Sequence, residues 1–212
     1  MLACFLRKIK VFFETAHIDS KEFVFAVPSY FSNTERQAFL DAVEIADLKC
    51  LRLINESTAV ALTYGFFRKP DLPEKGEPRV VAFVDLGHSK LTVTIASFLA
   101  GKMKVICHNS DRNLGARNMD YCLVEKLGEE FMKKYGCDPR KNIRTRLRML
   151  DIIEKQRKIL SANIEATIHL DCLMEDEDLH RNLKRTEFEE LIEPMIARFK
   201  SVLEHTLAMS GK

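Results

Sequence analysis

A chain of 212 residues that is 46% apolar has enough core-forming content to bury roughly 70% of its extended surface and fold. Its 33 basic and 31 acidic side chains leave a net charge of +2, which exerts no general pull toward nucleic acid or a membrane surface. No run approaches the roughly 20 apolar residues that span a bilayer. Met1 to Phe13 is broken by Arg7, Lys8 and Lys10 and lacks a signal peptide's order. Six cysteines (Cys4, Cys50, Cys107, Cys122, Cys137, Cys172) never form a Cys-x-x-Cys pair, which predicts reduced thiols in a soluble cytoplasmic protein.

Along the chain, Leu2, Phe5, Leu6, Ile9, Phe12 and Phe13 recur at helical spacing and predict an amphipathic helix whose apolar stripe needs a covering partner. Phe23 to Val27 reads as a buried strand ended by Pro28. Ser32 followed by Glu35 has capping-box spacing, and Phe39, Ala42, Val43 and Ala46 give the next helix its core face. Leu48 to Ile54 is a second strand. Asn55 to Thr58 then opens a helix that is expected to stop near Gly65. This alternation implies a parallel sheet layered with helices.

Lys69 to Pro78 holds three prolines, a glycine and several charges and reads as a linker. A second unit is expected from Arg79, with strands Val80 to Val84, Leu91 to Phe98 and Lys102 to Cys107 as a meander. Asn113 to Ala116 turns into a helix stopped by Gly136 and Pro139, and another spans roughly Lys141 to Ser161, with Ile143, Leu147, Leu150 and Ile153 as its apolar stripe. Ile168, Leu170 and Cys172 alternate like a strand, Glu175 to Asp178 reads as a hairpin tip, and Thr186 to Met209 as a final long helix.

Three places carry candidate chemistry. Asp85, Leu86, Gly87, His88 and Ser89 join two strands, so a carboxylate leaves a buried strand just ahead of a glycine turn. Backbone N–H groups pointing up from such a turn, beside that carboxylate, suit magnesium and a polyphosphate, and an ordinary hairpin is the alternative. Glu56 opens a helix at a strand's C-terminal edge, where it can face a crevice or serve only the helix end. Glu154, Arg157, Lys158 and Ser161 share one helical face that can grip an adenosine or form an exposed ion pair.

Other chemistries lose their anchors. The basic helix carrying Arg144, Arg146 and Arg148 has no interleaved aromatics for nucleic acid. Histidines 17, 88, 108, 169, 180 and 205 show no helical ligand pair, so no zinc site is expected. Neither a Gly-x-Ser-x-Gly elbow, a Walker loop nor a Rossmann fingerprint occurs.

Taken together, FAVPSYF (25–31), TERQAFLD (34–41), LRLINESTAVALTYG (51–65), VDLGHS (84–89), LGARNMD (114–120) and EKQRKILSAN (154–163) resemble the nucleotide-binding domain of the heat-shock protein 70 superfamily. The histidine and serine after Gly87, where most members have two glycines, look like the large 110-kilodalton co-chaperone subgroup. The resemblance implies an α/β, actin-like ATPase (ribonuclease H-like) nucleotide-binding domain, incomplete here, with a smaller α+β subdomain. Its parts would be a partial first lobe (1–68), a hinge (69–78), a meander with the second phosphate loop (79–115), an adenosine-side subdomain (116–184) and a returning helix (185–212).

By the same resemblance Asp85 would hold magnesium through water. Gly87, His88 and Ser89 would be the phosphate loop, and Glu56 would lie near the terminal phosphate of ATP or ADP. Glu154, Arg157, Lys158 and Ser161 would clamp adenosine, with Gly115 opening the turn toward them. The family's first phosphate loop would precede residue 1 and its glycine-rich adenosine segment would follow Lys212, so weak or no hydrolysis is expected of this chain alone. Lys90, Ala116 and Ser57 stand where hydrolysing members carry threonine, glycine and proline. His88 and Ser89 are expected to cost about 1–2 kcal/mol wherever a left-handed backbone is needed. The implied function is nucleotide exchange on a seventy-kilodalton heat-shock chaperone. A hydrolysing chaperone and a nucleotide-independent docking module are the alternatives.

Overall fold

In the computed structural model, which describes residues 1–18 and 22–211, the chain forms two compact units. One comprises Met1–Phe83 and Thr94–His108, the other Val84–Val93 and Asn109–Lys212, so the division falls within strands and not within the proline-rich segment.

The first unit opens with α1 (Leu2–Thr15), β1 (Glu22–Val27), α2 (Asn33–Ile45), β2 (Lys49–Asn55) and α3 (Glu56–Phe67). Strands β1 and β2 pair in parallel, as the strand–helix–strand order requires. Helix α2 starts at a complete capping box: the Glu35 N–H donates to Ser32 Oγ (3.2 Å) and the Ser32 N–H to Glu35 Oε2 (2.7 Å). Its Ala42 and Val43, with Ala46 and Leu48, bury against Leu6 of α1. Only that narrow side of the α1 stripe is covered, because Phe5 and Phe12 stay 63% and 60% exposed.

Helix α3 does not stop at Gly65. It continues to Phe67, and Gly65 lies against Phe98, where a Cβ would stand 3.2 Å from the ring. Tyr64 packs beside both Phe98 (5.1 Å) and Phe83 (5.6 Å), closing a core that also takes Ala61, Leu72 and Ala96. The proline-rich segment is therefore anchored at its start: Leu72 is buried and the Pro73 carbonyl accepts from the Ala100 N–H.

A three-stranded sheet follows in the order β3 (Arg79–Leu86), β4 (Leu91–Leu99), β5 (Lys102–Asp111). Central β4 is buried along Leu91–Ala96 irrespective of side-chain alternation, as befits a strand covered on both faces.

The second unit adds α4 (Ala116–Tyr135), α5 (Ile143–Leu160), the antiparallel hairpin β6 (Glu165–Met174) and β7 (Glu177–Lys184), and α6 (Arg185–Ser210); Lys212 lies outside the described residues. Leu123, Val124 and Leu127 of α4 meet Met149 and Ile153 of α5 and Ile168 and Leu183 of the hairpin. The α5 stripe is thus rotated from the expected one. Ile143 and Leu147 are 60% and 56% exposed, and Thr145, Met149, Ile153 and Leu160 face inward, because the Thr145 hydroxyl bonds the Pro139 and Asn142 carbonyls and sets the first turn.

Helix α6 serves two cores. Phe188 and Ile192 close the one just described, whereas Met195, Phe199, Val202 and Leu203 pack on Leu91, Val93 and Leu114. Pro194 stands at the changeover.

Two expected outcomes test this packing. Gly128 of α4 is crossed by Arg140, whose Cγ and Cδ would lie 2.5 Å from an added Cβ while Asp138 and Glu125 hold its guanidinium. Gly128→Ala should therefore lower stability by about 1–3 kcal/mol in urea unfolding. Burial pushes the Glu187 carboxyl up, but Lys126 (2.6 Å) and Arg181 (2.8 Å) outweigh it and hold it below the ordinary range. A depressed folded value gives stability that is present above the unfolded glutamate value and lost as pH falls through the folded one. Glu187→Gln should cost about 1 kcal/mol or less at neutral pH, and a stability–pH series should show that deficit vanish in acid.

Candidate functional site

Strand β3 runs two residues past its expected end, so Asp85 is an exposed strand residue and Leu86 the last. The turn Gly87–His88–Ser89 is closed by the Gly87 N–H donating to the Lys90 carbonyl at 2.9 Å. That amide is therefore spent within the turn. None of the three residues is among those with positive φ, so His88 and Ser89 incur no left-handed penalty, contrary to the sequence expectation.

Two carbonyls of the turn are taken by α4. The Ala116 N–H donates to the Gly87 oxygen (3.0 Å) and the Arg117 N–H to the His88 oxygen (2.8 Å). Two of the amides that every helix N-terminus leaves unpaired are thereby satisfied by the loop. Such an approach demands glycine at position 115. A Cβ there would stand 2.5 Å from the His88 carbonyl oxygen and 2.7 Å from the carbonyl carbons of His88 and Ser89. At φ −158° the backbone is ordinary extended chain, so space and not conformation excludes a side chain. Asn118 reaches back with Oδ1 to accept the Gly115 N–H at 3.2 Å.

From α4 the order passes to α5. Asp120, 2% exposed, accepts from Arg157 Nε (2.6 Å) and Nη2 (3.3 Å). Of the four residues on the α5 face, Arg157 therefore turns toward α4. Glu154 and Lys158 pair with each other at 2.7 Å, and the Ser161 hydroxyl donates to the Lys158 carbonyl at 2.6 Å. The hydrogen bond from Lys158 holds the Glu154 carboxyl below its usual range, with lesser help from the charges of Lys158, Arg157 and His88. His88 is thus within electrostatic reach of Glu154. Beside this face lies a concave pocket of about 590 Å³, lined by Arg157, Leu160 and Ser161 with Arg185, Phe188 and Ile192 of α6.

In the first unit Glu56 is the first residue of α3, half-buried. Its neighbour Asn55 forms no side-chain cap; its Oδ1 accepts from Arg36 Nη2 at 2.8 Å instead. Arg36 also donates to the Phe31 carbonyl, tying α2, the turn after β1 and the end of β2 together.

Sequence reading assigned no role to Arg36, Asn118 or Asp120. Asp120 had a visible signal, a carboxylate on the same helical face as Leu123, Val124 and Leu127. Burial pushes the Cys107 and Cys122 thiols up, which disfavours reactive thiolates at either. Among the described residues, no three His, Cys, Asp or Glu side chains converge as a metal-ligand set, and no helix is long and apolar enough to cross a membrane.

A family model described as Hsp70 protein matches residues 1–211. The chain is 43% identical over 188 residues to Heat shock 70 kDa protein 16 of Arabidopsis thaliana, covering 89% of the chain and 24% of that protein. It is 42% identical over 213 residues to Heat shock protein hsp88 of Neurospora crassa, covering 98% and 30%. To the 97 kDa heat shock protein of Mesocentrotus franciscanus it is 42% identical over 189 residues, covering 86% and 21%. The chain thus spans 21–30% of the length of these relatives.

Gly115→Ala should force the loop and the α4 terminus apart. The expected result is about 1–3 kcal/mol of lost stability together with faster amide exchange at Gly87, Ala116 and Arg117, read by hydrogen–deuterium exchange.

Proposed function

Because this chain belongs to the Hsp70 family, we propose that it is the nucleotide-binding part of a large heat-shock-type chaperone that acts in the cytosol as a nucleotide-exchange partner of a seventy-kilodalton chaperone. The family's nucleotide-binding domain has the actin-like ATPase fold, with which the mixed helix and sheet content agrees. The observation that supports the reading best is the interlock of the Gly87–Ser89 turn with the α4 N-terminus across Gly115, which joins a loop assigned to phosphate to the helix pair assigned to adenosine.

In this reading residues 1–68 belong to the first lobe, 69–78 to the hinge, 79–115 to the phosphate-loop meander, 116–184 to the adenosine-side subdomain and 185–212 to the returning helix. Magnesium bound with the nucleotide supplies positive charge that offsets the phosphates. Asp85 fits an outer-sphere role: its carboxylate is exposed at the mouth of the turn, with one oxygen 4.0 Å from where a Cβ on Gly87 would stand and the Lys90 carbonyl oxygen 3.7 Å from the same point. Gly87, His88 and Ser89 present the turn to phosphate, and Glu56 is assigned to the terminal phosphate. Glu154, Lys158 and Ser161 take the ribose and base edges.

Arg157 is held by Asp120 and therefore orders α5, with a guanidinium plane presented toward the purine. The pocket between α5 and α6 gives that plane an apolar flank in Leu160, Phe188 and Ile192. Nucleotide would then fix the arrangement of the surfaces that meet the partner, and the chain's work would be conformational more than chemical.

Calorimetric titration of magnesium-ATP into the longest natural form that contains this chain should show binding, and Asp85→Asn should weaken it at least about tenfold, roughly 1.4 kcal/mol. Absence of binding, or an unchanged Asp85→Asn affinity, overturns the nucleotide assignment. Single-turnover hydrolysis at an appreciable rate would favour the hydrolysing alternative. Partner docking indifferent to ATP would favour the nucleotide-independent one.

A further inference from the structure

The hairpin β6–β7 turns one face to the core and one to solvent, and the solvent face carries a pair of histidines that helical spacing could not reveal. Register places His169 directly opposite His180, so the two side chains leave the sheet on the same side. Both are exposed, and their rings stand 5.4 Å apart, centroid to centroid, at an interplanar angle of 66°. One pair further along the same face, the Thr167 hydroxyl donates to Asn182 Oδ1 at 2.6 Å, a neutral bond that leaves the histidines the only imidazoles of the ladder.

We propose that His169 and His180 form a two-imidazole chelate for a first-row divalent transition metal such as Ni²⁺, Cu²⁺ or Zn²⁺, with water completing the coordination sphere. Imidazole nitrogen is the ligand these ions favour. With a metal–nitrogen bond of about 2.0–2.1 Å, a ligating ring's centroid lies about 3.2 Å from the ion, so two rings at tetrahedral to square angles stand about 4.6–5.3 Å apart. The observed 5.4 Å lies at the upper edge of that range.

A second feature points the same way. His169 Nε2 lies 2.8 Å from Asp171 Oδ1. A carboxylate on one ring nitrogen holds the proton there and leaves the lone pair on the other, here Nδ1, and this is the outer-shell arrangement that accompanies metal-bound histidine. Asp171 is thus a positioning residue. Because no set of three His, Cys, Asp or Glu ligands converges among the described residues, the site is an open, exchangeable one and not a buried structural centre. A bound ion would clip β6 to β7 across the hairpin. It involves none of the residues assigned to nucleotide, so its fate is separate from that of the proposed function.

The test is Ni²⁺ titration of the full chain by calorimetry, with the imidazole resonances followed by NMR. One Ni²⁺ is expected at this hairpin, with paramagnetic broadening centred on the His169 and His180 rings. His169→Gln and His180→Gln should each weaken that site at least about tenfold, and Asp171→Asn should weaken it by about tenfold. All three residues are solvent-exposed, so far-UV circular dichroism should stay unchanged. Binding that survives the double histidine variant, broadening centred on other histidines, loss in only one of the two single variants, or no binding by the unaltered chain would each overturn the chelate.

Discussion

The close approach of two backbone segments at Gly115 is the constraint from which the second unit's candidate site follows. With no Cβ in the way, the carbonyls of Gly87 and His88 meet the first amides of α4, so a turn and a helix terminus satisfy each other without water. Position and direction of α4 are then set by a strand end. Asp120, little more than one turn into that helix, carries the order onward to Arg157. A buried carboxylate left without its guanidinium would be costly, so α5 is locked in rotation as well as in place. The orientation of Glu154, Lys158 and Ser161 is inherited through these two links.

The same links explain why the α5 stripe expected from sequence was rotated. Counting apolar residues at helical spacing weights Ile143 and Leu147 equally with Ile153, yet the first two are exposed. The deciding groups were polar: Thr145, anchored to the carbonyls of Pro139 and Asn142, and Arg157, anchored to Asp120. Periodicity measures hydrophobicity and is blind to a buried ion pair that fixes the helix phase. Capping at Ser32 and Glu35 was legible because both partners lie within one turn of each other, whereas the Arg36–Asn55 bond joins residues 19 positions apart and left no local trace.

For the turn after Asp85, motif likeness and geometry gave different kinds of information. Similarity identified the segment, but it also led to an expectation of backbone strain at His88 and Ser89 that the observed φ values remove. What glycine is needed for in this neighbourhood lies 28 positions away, at Gly115, where proximity and not torsion excludes a side chain. A single sequence cannot separate those two reasons for a glycine, since both read as the same letter. The cross-strand histidines were hidden in the same way: residues 169 and 180 become neighbours only once the hairpin register is known.

Pro194 divides α6 into a half that seals the α4–α5–hairpin core and a half that seals the core of Leu91, Val93 and Leu114. Proline has no N–H to give to the carbonyl four residues back, so the rod lacks one of its internal struts at the point where its load changes hands. Bending stiffness is therefore lowest between the two anchorages and highest within each. A torque applied to one half would be absorbed at this residue before it reached the other, which makes α6 a compliant coupling between two well-packed ends.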